Sequence, residues 1–225
     1  MTMVLADIAA PYSSVESFIY DRVIAPAVLA MGERIAGELA GQIADDAQVL
    51  DVGCGGGHLA LDIAARRAGA RVTGLDLSAE QVARAAARAK ARGLAVQFVQ
   101  GSALDLPFDS GSFDVVTSVA SIKHWPDQAR GLRECVRVLR AGGRLVVFEA
   151  DRGCRLGDAQ DFVGRWALPR PLRLPALAAF RTWVAGQAID LDDARELVGG
   201  LSLEATEVRR VPGTPALMLA GSKPL

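Results

Sequence analysis

Histidine and cysteine are scarce in this 225-residue sequence. The only histidines are His58 and His124, and the three cysteines, Cys54, Cys135 and Cys154, lie far apart. So few and so scattered a set indicates no zinc site, and an odd, widely spaced trio gives no disulfide framework. The thiols fit a reducing cytosol, so a cytoplasmic location is expected. Long uninterrupted apolar runs are also missing, which excludes a membrane span, and the first residues lack the basic region and small-residue cleavage site of a signal peptide. An excess of either charge is missing as well. With 25 basic against 26 acidic residues and a net charge of -1, there is no general electrostatic attraction to nucleic acid or to an anionic membrane surface.

What the chain does have is apolar residue: 51% of it is hydrophobic, enough for one α/β domain over residues 1–225 with its own core. Its most telling stretch is Val49-Leu50-Asp51-Val52-Gly53-Cys54-Gly55-Gly56-Gly57. An apolar run ends in an acid and then in glycines on alternate positions, the pattern of a strand turning tightly into a helix. Gly53, Gly55 and Gly57 allow a sharp turn and close approach to a ligand, and a helix starting near His58 would aim its first amides at that ligand. Arg71-Val72-Thr73-Gly74-Leu75-Asp76 follows as a second strand ending in a carboxylate, at the spacing where an acid binds a ribose diol. Asp51 argues against a dinucleotide, since a carboxylate just before the turn would repel a pyrophosphate.

Strand and helix patterns alternate from there. The spacing predicts helices from Ser13 to Ala40 with a break at Pro26, then strands at Gln48–Val52, Arg71–Leu75, Val96–Gln100, Phe113–Val119 and Arg144–Phe148, the last after a turn at Ala141-Gly142-Gly143. Helices fall at His58–Arg67, Ala79–Arg92 and Asp127–Leu139. Ser78 caps the second of these and Gly93 stops it, while the Ala/Arg stretch Ala83–Arg88 reads as a solvated face. Such alternation gives a parallel sheet with helices on both faces. From Asp158 to Ile189 the pattern changes to two helical pieces divided by Pro169, Pro171 and Pro175, with Phe162, Trp166, Phe180 and Trp183 among them. A helix at Leu191–Val198 and two strands, Leu203–Val211 and Pro215–Ala220, complete the chain.

From Tyr20-Asp21 to about Glu149 the sequence resembles the class I S-adenosylmethionine-dependent methyltransferases, in particular the small-molecule group that looks like the ubiquinone/menaquinone methyltransferases. The resemblance implies a Rossmann-like α/β fold: a seven-stranded, mostly parallel sheet whose last strand is antiparallel. N-terminal helices (1–47) would precede a cofactor-binding core (48–150), a helical lid insertion (151–190), and a C-terminal helix and closing hairpin (191–225). S-adenosylmethionine carries an ammonium, a sulfonium and a ribose but no phosphate, so two acids suit it. By resemblance, Asp51, Gly53, Cys54 and Gly55 hold its methionine end, Asp76 binds the ribose hydroxyls, and Leu77 packs on the adenine. Ser102 and Ala103 would contact the ring from the loop Gln100–Phe108, and Ser118 lies at the end of strand four on the cofactor side. Relatives usually carry an acid where this chain has Ser102, so its hydrogen bond to adenine would lack charge assistance. The Asn/Asp-Pro-Pro-aromatic tetrad of enzymes that methylate amino groups of bases or amides of glutamine is missing from Val116–Asp127.

There, His124 would face the cofactor as general base or as pocket wall, and Tyr20, Trp166 and Trp183 would shape an acceptor pocket under the lid. Plainer readings stand beside these. Asp76 also suits the N-terminus of the helix capped by Ser78; Cys54 has no base beside it and packs as a small residue; Trp125 reads as core and Lys123 as solvated; Arg165, Arg170, Arg173 and Arg181 read as the solvated outside of the lid. The expected reaction is methyl transfer to a small, partly apolar acceptor without a metal, and a homodimer is left open. A cofactor-binding sensor or a non-catalytic methyltransferase-like subunit is the alternative. A nicotinamide-dependent oxidoreductase fits less well, because the only tyrosines, Tyr12 and Tyr20, precede the glycine turn and cannot form the usual Tyr-x-x-x-Lys pair after it.

Overall fold

The computed structural model describes Val23 and residues 25–225, so expectations for Tyr20 and for the helix before Pro26 fall outside the described residues. The first described helix, α1 (Ala25–Ala40), carries Pro26 in its first turn, where proline costs no hydrogen bond. The chain then alternates through β1 (Gln48–Val52), α2 (His58–Arg66), β2 (Arg71–Asp76), α3 (Ala79–Arg92), β3 (Val96–Gln100), β4 (Phe113–Val119) and α4 (Gln128–Val138). β5 (Leu139–Ala150) follows directly. It is longer than expected: Leu139 already pairs with Phe113, and Ala141-Gly142-Gly143 bulges within the strand before Arg144 opposite Val115.

α5 (Leu156–Gly164), α6 (Arg170–Ala179) and a π-helical turn (Phe180–Val184) make the insertion, and α7 (Leu191–Gly199), β6 (Glu204–Arg210) and β7 (Ala216–Ser222) close the chain. Only Pro169 lies in the break between the insertion's helices. Pro171 sits in the first turn of α6 and Pro175 inside it, so the proline cluster divides the helices less than its spacing predicts.

The seven strands run in the order β3-β2-β1-β4-β5-β7-β6. The first five are parallel, and β7 slots between β5 and β6 antiparallel to both. This is the mostly parallel, seven-stranded sheet with an antiparallel last strand that the resemblance implies. Residues of one strand feed opposite faces, as the two-residue period requires. Leu50 and Val52 join Leu132, Cys135, Val136 and Val198 on one face, while Val49 joins Ile35, Leu39, Ala60 and Ile63 on the other. Helix α3 carries the caps that the sequence suggests, Ser78 and Gly93, and Asp127 caps α4. Ser78 Oγ accepts from the Gln81 amide at 3.3 Å, Asp127 accepts from the Arg130 amide at 2.8 Å, and Gly93 ends α3 in the left-handed conformation.

β1 runs out to β2 and β3 on one side, and the chain returns to β4 on the other. The carboxyl ends of β1 and β4 therefore face the switch in direction where open α/β sheets bind ligands.

Candidate cofactor site

Asp51 lies next to the end of β1, buried, flanked in the strand by the apolar residues Val49, Leu50 and Val52. Its carboxylate accepts from the backbone amide of Ala60 in the first turn of α2, but Oδ2 has no partner among the described residues. Burial, with the nearby Asp76 charge added, pushes its pKa up from 3.8 to about 7, against the smaller pull of the Ala60 amide. A buried carboxylate with an orphan oxygen is costly unless something positive meets it.

The glycine turn is built around that acid. The amides of Gly53 and Cys54 donate to the Leu75 carbonyl at 2.7 and 2.9 Å, tying the turn to the end of β2. Gly53 (φ 73°) and Gly57 (φ 78°) are left-handed, and a Cβ on Gly53 would overlap the hydroxyl of Ser121. Asp76 closes the arrangement from β2: Oδ2 accepts from the Gly55 amide at 2.8 Å and Oδ1 from the Ser78 amide at 2.9 Å. It therefore fixes the turn and starts α3 while each oxygen keeps lone-pair capacity for a further donor. Leu77, beside it, is 72% exposed at the lip of the crevice.

The other residues read from the sequence fall into two groups. Ala103 is half-buried against the core. Ser102 Oγ accepts from the Leu104 amide at 3.1 Å, so its hydroxyl shapes its own loop. That loop is held from α4, where Glu134 accepts from the Leu106 amide at 2.9 Å and Arg137 donates to the carbonyls of Phe108 (2.8 Å) and Leu106 (2.9 Å). Ser118 is wholly buried and its hydroxyl donates to the Val52 carbonyl at 2.8 Å, which ties β4 to β1. Cys54 lies against Gly74. Burial and the charges of Asp51 and Asp76 push its thiol pKa well above the ordinary range, which leaves it a packing residue within the turn.

Beyond β4 the chain turns through Ala120, left-handed at φ 53°, a conformation that costs a non-glycine residue on the order of 1 kcal/mol. The turn lays Ser121 over Gly53 and opens a short 3-10 helix, Ile122–His124. His124 is exposed at its end. Desolvation on its inner side, and then the charge of Lys123, push its pKa below the ordinary value, so the imidazole is neutral at pH 7. Lys123 is not solvated as its position suggests: its side chain is largely buried, with Nζ 3.8 Å from the buried carboxylate of Glu149, which also accepts from the Lys123 amide at 3.2 Å. Trp125 packs on the core as expected and donates to Ser121 Oγ at 3.1 Å.

The insertion places its aromatic residues differently from the sequence reading. Trp166 is buried, its ring centroid 6.1 Å from Phe162 and 6.2 Å from Phe180, and it builds the insertion's own core with Ala27 of α1. Trp183 is 51% exposed and outside that core. Arg165, Arg170, Arg173 and Arg181 are exposed, as expected. Both ends of the insertion are clasped. The Arg152 amide donates to the Ile189 carbonyl at 3.0 Å, and its guanidinium reaches Asp190 (2.6 Å) and Asp193 (2.8 Å). Buried Asp151 accepts from Arg210 at 2.6 Å and from the Gly153 amide at 2.7 Å.

Sequence reading missed Arg88, Glu149 and the Glu134–Arg137 pair. Arg88, in the Ala/Arg stretch of α3 that reads as solvated, donates to the Gly56 carbonyl at 2.7 Å and braces the glycine turn. Nothing in local spacing marks it, because its partner lies a whole helix and strand away. Among the described residues no cluster of metal-ligating side chains occurs, and no helix is long and apolar enough to cross a membrane.

Comparison with known proteins agrees with this geometry. Residues 50–147 match the family described as methyltransferase domain. A demethylmenaquinone methyltransferase of Thermus thermophilus is 44% identical over 102 residues, 45% of this chain and 46% of that protein. A 27-O-demethylrifamycin SV methyltransferase of Amycolatopsis mediterranei is 39% identical over 117 residues, 51% of this chain and 42% of that protein. The match thus spans less than half the length of either relative. In fold, a SAM-dependent methyltransferase of Aquifex aeolicus aligns with a TM-score of 0.66 at 14% identity, over 92% of this chain and 97% of the other. The matched residues 50–147 carry Asp51, the glycine turn, Asp76, the Ser102 loop and His124.

Proposed function

We propose that this chain transfers a methyl group from S-adenosylmethionine to a small, partly apolar acceptor. The observation that carries the reading is the buried, orphaned oxygen of Asp51 beside a turn that cannot accept a Cβ at Gly53. An ammonium meeting that oxygen satisfies it and restores the full charge of a carboxyl otherwise poised near neutral pH. A pyrophosphate would meet the same carboxylate with repulsion, which disfavours a nicotinamide cofactor. Asp51 and the turn at Gly53–Gly55 would hold the methionine end, Asp76 the ribose and Leu77 with Ala103 the adenine. When bound, the cofactor supplies an electrophilic methyl carbon on a sulfonium.

The protein's part is then chiefly alignment and exclusion of water. For a hydroxyl or an acidic carbon, His124 takes the departing proton: it is neutral at pH 7 and carries a free base. The relatives' names support a small organic acceptor, one a menaquinone precursor and one a demethylrifamycin. We place the reaction in the cytoplasm, where three free thiols stay reduced.

Titration calorimetry tests the cofactor: S-adenosylmethionine and its demethylated product should bind and NAD should not. Once an acceptor is found by screening hydroxylated aromatic and polyketide pools, His124→Ala should keep cofactor affinity and lose roughly 10²-fold in rate. Binding without turnover on any pool would favour a cofactor sensor, a reading that Ser102 supports because its hydroxyl is already engaged by Leu104.

A further inference from the structure

The insertion's helix α6 has two apolar faces. Leu177 and Phe180, one helical turn apart, point into the insertion's core and are buried. Pro171, Leu174, Pro175 and Ala178 recur at i, i+3, i+4 and i+7, which is again a single stripe of a helix, and all four are exposed. Leu174 is 75% exposed and Leu172, at the edge of the stripe, 50%. Trp183, in the π-helical turn that continues α6, is 51% exposed and Val184 beside it 39%. A helix stripe that faces water is usually polar; the stripe of Pro171, Leu174, Pro175 and Ala178 is not.

The charges within the segment itself are of one sign. Residues 165–184 contain four arginines, Arg165, Arg170, Arg173 and Arg181, and no acid, in a chain whose net charge is -1. All four are exposed, and none has an acidic partner at salt-bridge distance among the described residues. Arg170 lies one turn from Leu174 along the helix, so a guanidinium borders the apolar stripe.

We propose that this face of α6, with Trp183, docks on the surface of an anionic lipid bilayer. Apolar side chains and a tryptophan enter the headgroup boundary while long arginine stems lie along it and keep their charges at the phosphates. The overall charge of the chain hides this affinity, because residues 165–184 carry four arginines and no acid. A polar protein partner would leave the leucines unmatched, and a second copy of the chain would bring four like charges against four. The inference goes beyond methyl transfer and stands without it.

The test needs neither cofactor nor acceptor, so its failure is separate from any failure of the transfer reading. Full-length protein is sedimented with vesicles of phosphatidylcholine alone and of phosphatidylcholine mixed with phosphatidylglycerol, and tryptophan emission is recorded. Of the three tryptophans, Trp166 is buried and Trp125 is half-buried with its ring nitrogen bonded to Ser121, so a blue shift on the mixed vesicles reports Trp183. The protein should bind the mixed vesicles with that shift and bind pure phosphatidylcholine weakly. Leu174→Ser, at an exposed site that the core does not feel, should weaken partitioning about ten-fold. Arg170→Ala and Arg173→Ala should each weaken binding to the mixed vesicles about five-fold. The proposal is overturned if the parent protein ignores the mixed vesicles, or if Leu174→Ser binds them as the parent does. It is equally overturned if sedimentation velocity shows a dimer that Leu174→Ser dissolves, which would make the face an interface between copies.

Discussion

The sheet segment, residues 48–150, buries a carboxylate with an orphan oxygen, whereas the insertion, residues 151–190, leaves leucine and tryptophan in water. Each region breaks the usual rule of burial in the opposite direction. In the first, the framework is over-determined: β1 is paired on both sides, the glycine turn is tied to Leu75, Asp76 and Arg88, and so the cost of burying Asp51 can be sustained. The insertion rests on a small core of its own and on a polar clasp at its two ends, and its outer face is free to be apolar. A site that must meet a cation is built as buried negative charge in a rigid frame. A surface that must meet something apolar is built on an element set apart from that frame. Local departures from consistent folding choices mark both.

Neutralising the buried acid should give the largest effect, and it should reach the sheet segment alone. Below about pH 4 the Asp51 carboxyl is protonated in both folded and unfolded chains. Between 3.8 and about 7 the unfolded chain ionises while the folded one keeps its proton, so stability falls as pH rises across that window; above it the penalty is constant. Asp51→Asn should therefore match the parent near pH 4 and exceed its stability above pH 7 by on the order of 3 kcal/mol, while losing cofactor binding. Urea denaturation across that range checks it. The same pH dependence in both proteins would clear Asp51 of the cost. In the parent, affinity for S-adenosylmethionine should rise with pH toward about 7 and level off above it, since the ammonium needs the ionised form.

Removing Asp76 should cost less and should act on two quantities at once. Asp76→Ala takes acceptors from the amides of Gly55 and Ser78, and it deprives a ribose of its partner. We expect cofactor affinity to fall by on the order of 2 kcal/mol and fold stability by on the order of 1 kcal/mol. Calorimetry and thermal denaturation separate the two. Full affinity in the variant would reduce Asp76 to the brace of the turn and the cap of α3.

How much of this could be read from the sequence follows the same division. The strands of the sheet segment were legible because buried parallel strands are short apolar runs, and α3 carries Ser78 and Gly93 at its ends. Asp51 was legible because it stands near a strand end just before a glycine turn, and Asp76 because it ends the next strand. Arg88, Lys123 and Ser118 were not. Their roles depend on partners reached across the fold, Gly56, Glu149 and Val52, and a helix face that reads as solvated can still send one long side chain inward. In the insertion, helical period predicted the two pieces but not which aromatic residues face in. Trp166 and Trp183 both look like pocket residues in sequence, and only packing separates the buried one from the exposed one. Pro175 misled for the same reason, because α6 tolerates a proline inside it on its unpacked side.

Ser102 offers a smaller test, at the point where the sheet segment departs from its relatives. Its hydroxyl already accepts from the Leu104 amide, so Ser102→Ala should lower stability by on the order of 1 kcal/mol whether or not adenine is bound. Cofactor affinity should fall as well if the hydroxyl also reads the base, and Ser102→Asp should then bind at least as tightly as the parent. Equal affinity in all three proteins, with only Ser102→Ala less stable, would leave the residue a turn former.

The smallest global effect, and the sharpest test of the contrast between the regions, should come from the clasp. Arg152 holds Asp190 and Asp193 from the other end of the insertion, with its side chain about half exposed, so solvent screens these pairs. Arg152→Ala should lower global stability by less than about 1 kcal/mol. Locally the change should be plain. The insertion is joined to the sheet segment chiefly through its two ends, and freeing one end lets α5 and α6 open without unfolding the sheet. Hydrogen exchange should therefore quicken across residues 156–184 and stay unchanged in β1, β2 and β4. Quickening that spreads into the strands would mean that the two regions fold as one cooperative unit; no quickening in either would mean that the insertion's core, with Ala27 of α1, holds it without the clasp.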